Sequence, residues 1–211
     1  MDHQLDIAVF GSGRGSNFNA ILSAIKRGEV PCARIRVVIS NNSTAGILDI
    51  ARAHALPAVH LSEKQFPDDE SFVNALVGTL QGYGANFILL AGYMKCLPQR
   101  VVRAYRNRII NIHPALLPKF GGQGMYGMHV HEAVIAAGEK VSGATVHVVD
   151  EEYDHGPILL QRTVPVLPGD TPETLAARVL PLEHELYPEA LRLIAEGKIV
   201  IGSRQVVVQE Q

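Results

Sequence analysis

The chain has 211 residues, 47% of them apolar and 19% charged, and a formal net charge of −2. Such a chain can bury a substantial core, and its balance excludes a disordered polypeptide and gives no electrostatic footprint for nucleic acid. No apolar run reaches the length of a bilayer span, Met1 to Asp6 carry no secretory signal, and Cys32 and Cys96 form no metal-ligand spacing. A cytoplasmic protein with reduced thiols, no membrane partner and no metal is the expectation.

Leu5–Phe10 reads as a first strand, followed by a turn at Gly11-Ser12-Gly13-Arg14-Gly15-Ser16-Asn17. Phe18, Ile21, Leu22 and Ile25 fall at i, i+3, i+4 and i+7, which predicts a helix from near Asn17 to about Gly28. In a strand, glycine-rich loop and helix, backbone N–H groups and a helix N-terminus converge on an anion. Ser16 and Asn17 can add side-chain donors. Many such turns bind nothing, but this context favours a phosphate site. The loop lacks the Gly-Lys-Ser/Thr of an ATP-hydrolysing P-loop. Its glycines at 11, 13 and 15 also depart from the dinucleotide pattern G-x-G-x-x-G.

Ile35–Ser40 is the second predicted strand, then a helix over Ala45–His54 and a short strand around Ala58–Leu61. His54 and His60 read as surface residues. Phe72, Val73, Leu76, Val77 and Leu80 give a helical face behind the acidic start Asp68-Asp69-Glu70. Phe87–Ala91 is continuously apolar, as in a central parallel strand. The loop Gly92–Pro98 could line an apolar pocket, although cover for the core is the simpler reading. A short helix over Pro98–Tyr105 follows.

Ile109–Ile112 is a buried strand into which Asn111 and His113 are set two residues apart, hence on one face. Pro114 stops the strand, since it cannot donate to a ladder. An amide and an imidazole thus stand together near the carboxyl end of a strand, where open α/β sheets bind ligands. The alternative is that they are satisfied polar groups capping a strand end. Residues 121–127 hold four glycines in seven, an irregular loop. His129 and His131 come next, with a helix over about Val130–Gly138; structural or substrate-shaping roles suit them better than a metal.

Ala144–Val149 alternates as a half-buried strand does. Asp150–Pro157 is an acidic loop and Ile158–Val166 another strand. Thr171 and Pro172 open a long helix as N-cap and first helical residue. It runs to about Glu196, with kinks or breaks expected at Pro181 and Pro188, and Gly197 ends it. Val200–Gln211 reads as a short strand and a loose tail.

Three motifs stand together: Gly11–Asn17, Asn-Ile-His-Pro-Ala-Leu-Leu-Pro at 111–118, and Asp-His-Gly-Pro at 154–157. From Ile7 to about Gly197 the chain resembles the folate-dependent formyltransferases. Gly13–Asn17 and Glu183-His184-Glu185-Leu186-Tyr187-Pro188 are similar to the members acting on 5'-phosphoribosylglycinamide in purine biosynthesis. The resemblance implies one α/β, Rossmann-like domain over 1–211, a mostly parallel twisted sheet with helices on both faces. Its phosphate-binding half would be about 1–100 and its catalytic and folate half about 101–200.

The resemblance also implies formyl transfer from 10-formyltetrahydrofolate, with Asn111, His113 and Asp154 catalytic. Gly15, Ser16, Asn17 and Glu183 would bind the phosphoribosyl substrate. Met94, Lys95, Cys96, Leu97, Asn111, Asp150 and Asp154 would bind the folate. No metal and no nucleic acid are implied, and the protein would be a monomer or homodimer. Asp69 stands where some members carry a folate-contacting arginine, and Gly124–Gly127 looks like a small insertion before His129.

In the expected chemistry the amine attacks the formyl carbon directly. The Asn111 amide and a His113 imidazolium would stabilise the oxyanion, while Asp154 keeps His113 charged and relays the proton. The alternatives are a formyltetrahydrofolate hydrolase, which usually carries an extra N-terminal domain whereas this chain begins at its first strand, and a non-catalytic folate- or nucleotide-binding module.

Overall fold

The computed structural model describes residues 4–202 and 206–208, the last three by backbone alone. It divides the chain into two compact units, Met1–Ile109 and Ile110–Gln211.

The first unit alternates strand and helix: β1 (Leu5–Phe10), α1 (Ser16–Lys26), β2 (Ala33–Ser40), α2 (Gly46–Ala53), β3 (Ala58–His60), α3 (Asp69–Gly82), β4 (Phe87–Leu90) and α4 (Gln99–Ala104). β1 pairs in parallel with β2 and with β4, and β2 with β3. Their apolar runs are buried on both faces: Ile7, Ala8, Val9 and Phe10 have no exposed surface, nor do Val37, Ile88 and Leu89. That burial is why these strands read as continuous runs rather than alternations. Asp68 caps α3 by accepting the Ser71 N–H at 2.7 Å, and Phe72, Leu76 and Leu80 form its buried stripe. The predicted elements of this unit all occur, with ends shifted by a residue or two.

The second unit carries β5 (Ile109–His113, which begins at the last residue of the first unit), α5 (Met128–Ala136), β6 (Val141–Val148), β7 (Ile158–Pro165), α6 (Pro172–Ala195), β8 (Ile199–Ile201) and β9 (Val206–Val208). Here the pairing is antiparallel, β5 with β6 and β6 with β7, and β8 pairs antiparallel with β9. Strands β1 to β7 make one α/β sheet in the order β3-β2-β1-β4-β5-β6-β7, parallel through β1 to β4.

Two expectations fail in this unit, the half-buried β6 and a break in α6. β6 is not half-buried: from Ser142 to Val148 every residue is inside, including Thr145 and His147. Its alternation reflects two buried faces, one of them polar. α6 runs unbroken for 24 residues through Pro181 and Pro188. An interior proline costs a helix about 3 kcal/mol or more. Burying Leu175, Val179, Leu186, Tyr187 and Leu191 offsets this at roughly 1.5–3 kcal/mol per large side chain. The helix after the glycine loop occurs as expected with its ends two residues earlier, at Met128–Ala136, so that His129 joins His131 on it. Of the expected tail, Ile199–Ile201 and Val206–Val208 are strands; residues 203–205 and 209–211 lie outside the described residues.

Candidate active site

β5 ends at His113 because Pro114 follows, and the antiparallel register then decides what faces its polar residues. His147 of β6 stands opposite Asn111, and Thr145 opposite His113. The Asn111 Nδ2 lies 3.0 Å from His147 Nε2, and the other ring nitrogen of His147 meets the Val148 carbonyl at 2.9 Å. Thr145 Oγ1 donates to the Ala115 carbonyl at 2.6 Å. It accepts from the Leu117 N–H at 3.2 Å and from Gln161 Nε2 at 2.8 Å. One buried hydroxyl therefore holds the turn that leaves His113. A register shift between β6 and β7 at Val146/His147 marks an irregularity beside the cluster, a common device for aiming side chains near a site.

Asp154 arrives from the acidic loop. Its Oδ1 is 3.4 Å from His147 Nε2 and its Oδ2 3.7 Å from His113 Nδ1, while Oδ2 also accepts the Gly122 N–H at 2.9 Å. His113 Nε2 donates to the Phe120 carbonyl at 2.7 Å. Phe120 and Asp154 are both held at positive φ, 56° and 52°. Non-glycine residues pay of order 1–3 kcal/mol for such backbones, and the hydrogen bonds at this cluster are what hold them there. Gly156 explains the glycine of the Asp-His-Gly-Pro motif. A Cβ there would fall 1.9 Å from the Val148 carbonyl oxygen, which lets the loop return against the end of β6.

His113 is 3% exposed. Burial pushes its pKa down, and this outweighs the opposing pull of Asp154 and the Phe120 carbonyl. The expected imidazolium is therefore corrected: around neutral pH His113 is a neutral imidazole, because at 3.7 Å the carboxylate is too far to repay desolvation. Burial raises the Asp154 carboxyl, but the His147 and His113 rings and the Gly122 N–H more than offset it. Its pKa stays below the ordinary carboxylate value, so Asp154 is ionised. His131 on α5 is buried, and burial with the nearby His113 lowers its pKa too. His129 is exposed, 3.2 Å from Glu132 and edge-on to Tyr126. Among the described residues no group of three or more His, Cys, Asp or Glu side chains is placed to hold a metal ion.

A cleft of about 500 Å³ opens beside this cluster, lined by Leu117, Pro118, Gly121, Gly122 and residues 152–158, Asp154 included. Asp150 does not line it; it shapes the loop instead, accepting the Glu152 N–H at 2.9 Å and pairing with His155 at 3.1 Å. Glu183 lies on the buried side of α6.

In the first unit Gly15 is the residue before α1, at φ 83°. A Cβ there would stand 2.8 Å from Ile47, so the loop needs glycine for both shape and space. α1 has no side-chain cap, and its first bond is from the Asn19 N–H to the Gly15 carbonyl at 2.9 Å. Its open first turn is suited to an anion. Ser12 donates to Asn41 Oδ1 at 2.6 Å and accepts the Met94 N–H at 2.9 Å, which ties the loop down. Ser16 and Asn17 are the first two residues of α1, Asn17 buried. Met94, Lys95 and Cys96 are exposed and only Leu97 is inside. The reading of this loop as cover for the core thus holds for Leu97 and Tyr93 but not for Met94–Cys96. Tyr93 does that packing, edge-on to Phe10, and burial raises its hydroxyl to about 12. Asp69 opens α3 at the surface.

His147, Thr145 and Gln161 were not singled out from the sequence. The one signal was that Thr145 and His147 repeat the two-residue spacing of Asn111 and His113; the register that matches the two pairs is not written in either strand.

Residues 5–191 match the family model described as formyl transferase. The chain belongs to the formyl transferase family. It is 47% identical over 92% of its length to the chloroplastic phosphoribosylglycinamide formyltransferase of Vigna unguiculata, and it spans 62% of that relative. It is similar to the solved structure of glycinamide ribonucleotide transformylase 1 from Symbiobacterium toebii (TM-score 0.91, 42% identity, covering 100% of this chain and 96% of that one). A formyltetrahydrofolate deformylase structure from Pseudomonas syringae pv. tomato is also similar (TM-score 0.85, 27% identity), with 98% of this chain and 67% of that one covered. Among the described residues no helix is long and apolar enough to cross a membrane.

Proposed function

We propose that the protein transfers the formyl group of 10-formyltetrahydrofolate to the amine of 5'-phosphoribosylglycinamide, a step of purine biosynthesis. The observation that carries this is the cluster of Asn111, His113 and Asp154 beside a cleft in the second unit. The names of the relatives support the choice of substrate. Gly15, Ser16 and Asn17 would hold the phosphate through the open first turn of α1, and Glu183 the ribose. Met94–Leu97, Asp150 and Asp154 would receive the folate.

The amine lone pair attacks the formyl carbon and the carbon–oxygen π pair moves to oxygen. The Asn111 amide N–H is the donor aimed at that oxygen, an oxyanion contact typically worth 10²–10³ in rate. The intermediate collapses by breaking the bond to the folate nitrogen, which takes a proton as the amine loses one. Ionised Asp154 stabilises that proton in transit and passes it through water. His113, neutral before the donor binds, gains a reason to bind a proton only as negative charge develops beside it.

The hydrolase alternative uses the same residues with water as acceptor. Incubating the protein with 10-formyltetrahydrofolate, with and without 5'-phosphoribosylglycinamide, separates the readings. Amine-dependent deformylation supports the transferase, amine-independent deformylation the hydrolase, and no deformylation a binding module.

A further inference from the structure

We infer that His147 is a positioning residue of the formyl-transfer site, its Nε2 fixing which end of the Asn111 amide is presented to the formyl oxygen. The inference rests on the reading of Asn111 as the oxyanion donor.

An asparagine amide has a donor end and an acceptor end of nearly equal size, and only the donor end can stabilise an oxyanion. Something must therefore choose between them. His147 is 1% exposed, so water does not compete for its ring. Its Nδ1 is 2.9 Å from the Val148 carbonyl, which can only accept, so Nδ1 carries a proton and, in a ring with one proton, Nε2 carries none. Nε2 is left with a lone pair, and Asn111 Nδ2 lies 3.0 Å away. One amide N–H is spent on this acceptor and the second is left for the formyl oxygen. A flipped amide would set its carbonyl against the Nε2 lone pair, two acceptors facing each other in a buried site.

The same Nε2 lies 3.4 Å from Asp154 Oδ1. One nitrogen cannot serve both neighbours at once. Protonated, it would donate to Asp154 and repel the Asn111 N–H, turning the amide round. The Asn111 contact at 3.0 Å is the nearer of the two and favours the accepting state; it is in the donating state that Nε2 helps to hold the Asp154 pKa down. His147 is thus the point where the amide's direction and the carboxylate's charge are linked.

The test is a double-mutant cycle in the amine-dependent assay. His147→Leu removes the acceptor and should lower kcat roughly tenfold, less than the 10²–10³ of losing the donor itself. The KM for the phosphorylated substrate should stay within about twofold, because that substrate's phosphate is held elsewhere. His147→Gln, whose Oε1 can accept, should recover part of the loss. In an Asn111→Ala background His147→Leu should cost almost nothing further. Equal losses in both backgrounds, or no loss in the parent, would overturn the inference while leaving the transferase reading intact. A parent protein without amine-dependent deformylation would sink both. Independently of activity and of any variant's folding, two-bond ¹H–¹⁵N spectra of the parent should show His147 as the Nδ1–H tautomer. An Nε2–H tautomer or a cation at neutral pH would overturn it.

Discussion

The two glycine-bearing motifs of this chain solve opposite problems. In the first unit the loop before α1 is a backbone device, with Gly15 at φ 83° against Ile47, an uncapped helix start, and Ser12 bonding the loop in place. In the second unit the site is a side-chain device, in which Asn111, His147, His113 and Asp154 are joined through ring nitrogens, an amide and a carboxylate, with backbone groups of Phe120 and Gly122 closing it. The first suits recognition of a charge that does not change during the reaction. The second suits a charge that develops and moves, because buried side chains can exchange protons and backbone amides cannot. Removing a side chain should therefore hurt the second site and barely touch the first, while restricting a backbone should do the reverse.

The largest effect expected is His113→Ala. Turnover should fall by 10² or more while the KM for the phosphorylated substrate holds, since the group removed faces the reacting end. Steady-state kinetics on both substrates would check it; near-parental turnover would break the contrast and the assignment. Next is Gly15→Ala, where a positive φ and the overlap with Ile47 both work against the loop. A penalty of about 1–3 kcal/mol would raise that KM roughly tenfold or more with kcat little changed. Ser16→Ala should cost only about one neutral hydrogen bond, near 1 kcal/mol, or some fivefold in the same KM. A larger effect for Ser16→Ala than for Gly15→Ala would show that the first loop too depends on side chains.

The contrast extends to pH. His113 and His131 have pKa values lowered by burial, so the folded state disfavours their charged forms. Their contribution to stability is fully present above the unfolded histidine value of about 6.5 and is lost as pH falls below it toward the folded values. Asp154 is also lowered, so its contribution is present above about 3.9 and lost further down. Thermal unfolding between pH 7.5 and 5 should show a falling Tm, and His113→Asn should flatten that slope. A Tm that rises on acidification would contradict the neutral assignment of His113. The smallest effect is a control remote from both sites. Thr171→Ala removes the cap that accepts the Thr174 N–H and should cost about 1 kcal/mol, a Tm drop of roughly 2–4 °C, with kinetics unchanged.

Local order was legible wherever one strong periodicity or one special residue decided it. β1, β4 and β5 are apolar runs closed by glycine or proline, α3 starts at an acidic cap, and α6 starts at Thr171-Pro172. The Asn-x-His pair on β5 and Asp154 in a loop ending Gly156-Pro157 were readable as motifs, and the fold gives Gly156 a steric reason. The charge on His113 was not readable, since it depends on how much water burial removes and on a carboxylate separation of 3.7 Å. Nor was the depth of β6, whose alternation is the same whether one face meets solvent or a polar interior.

Sequence alone determined the elements, the α/β class and the identities of the residues at the strand ends, because those follow from propensities and spacings within a few residues. The tertiary structure decided that β6 lies antiparallel beside β5 with His147 opposite Asn111, that α6 stays whole through two prolines, and that His113 is neutral. Register, burial and desolvation depend on residues far apart in the chain. No local pattern carries them.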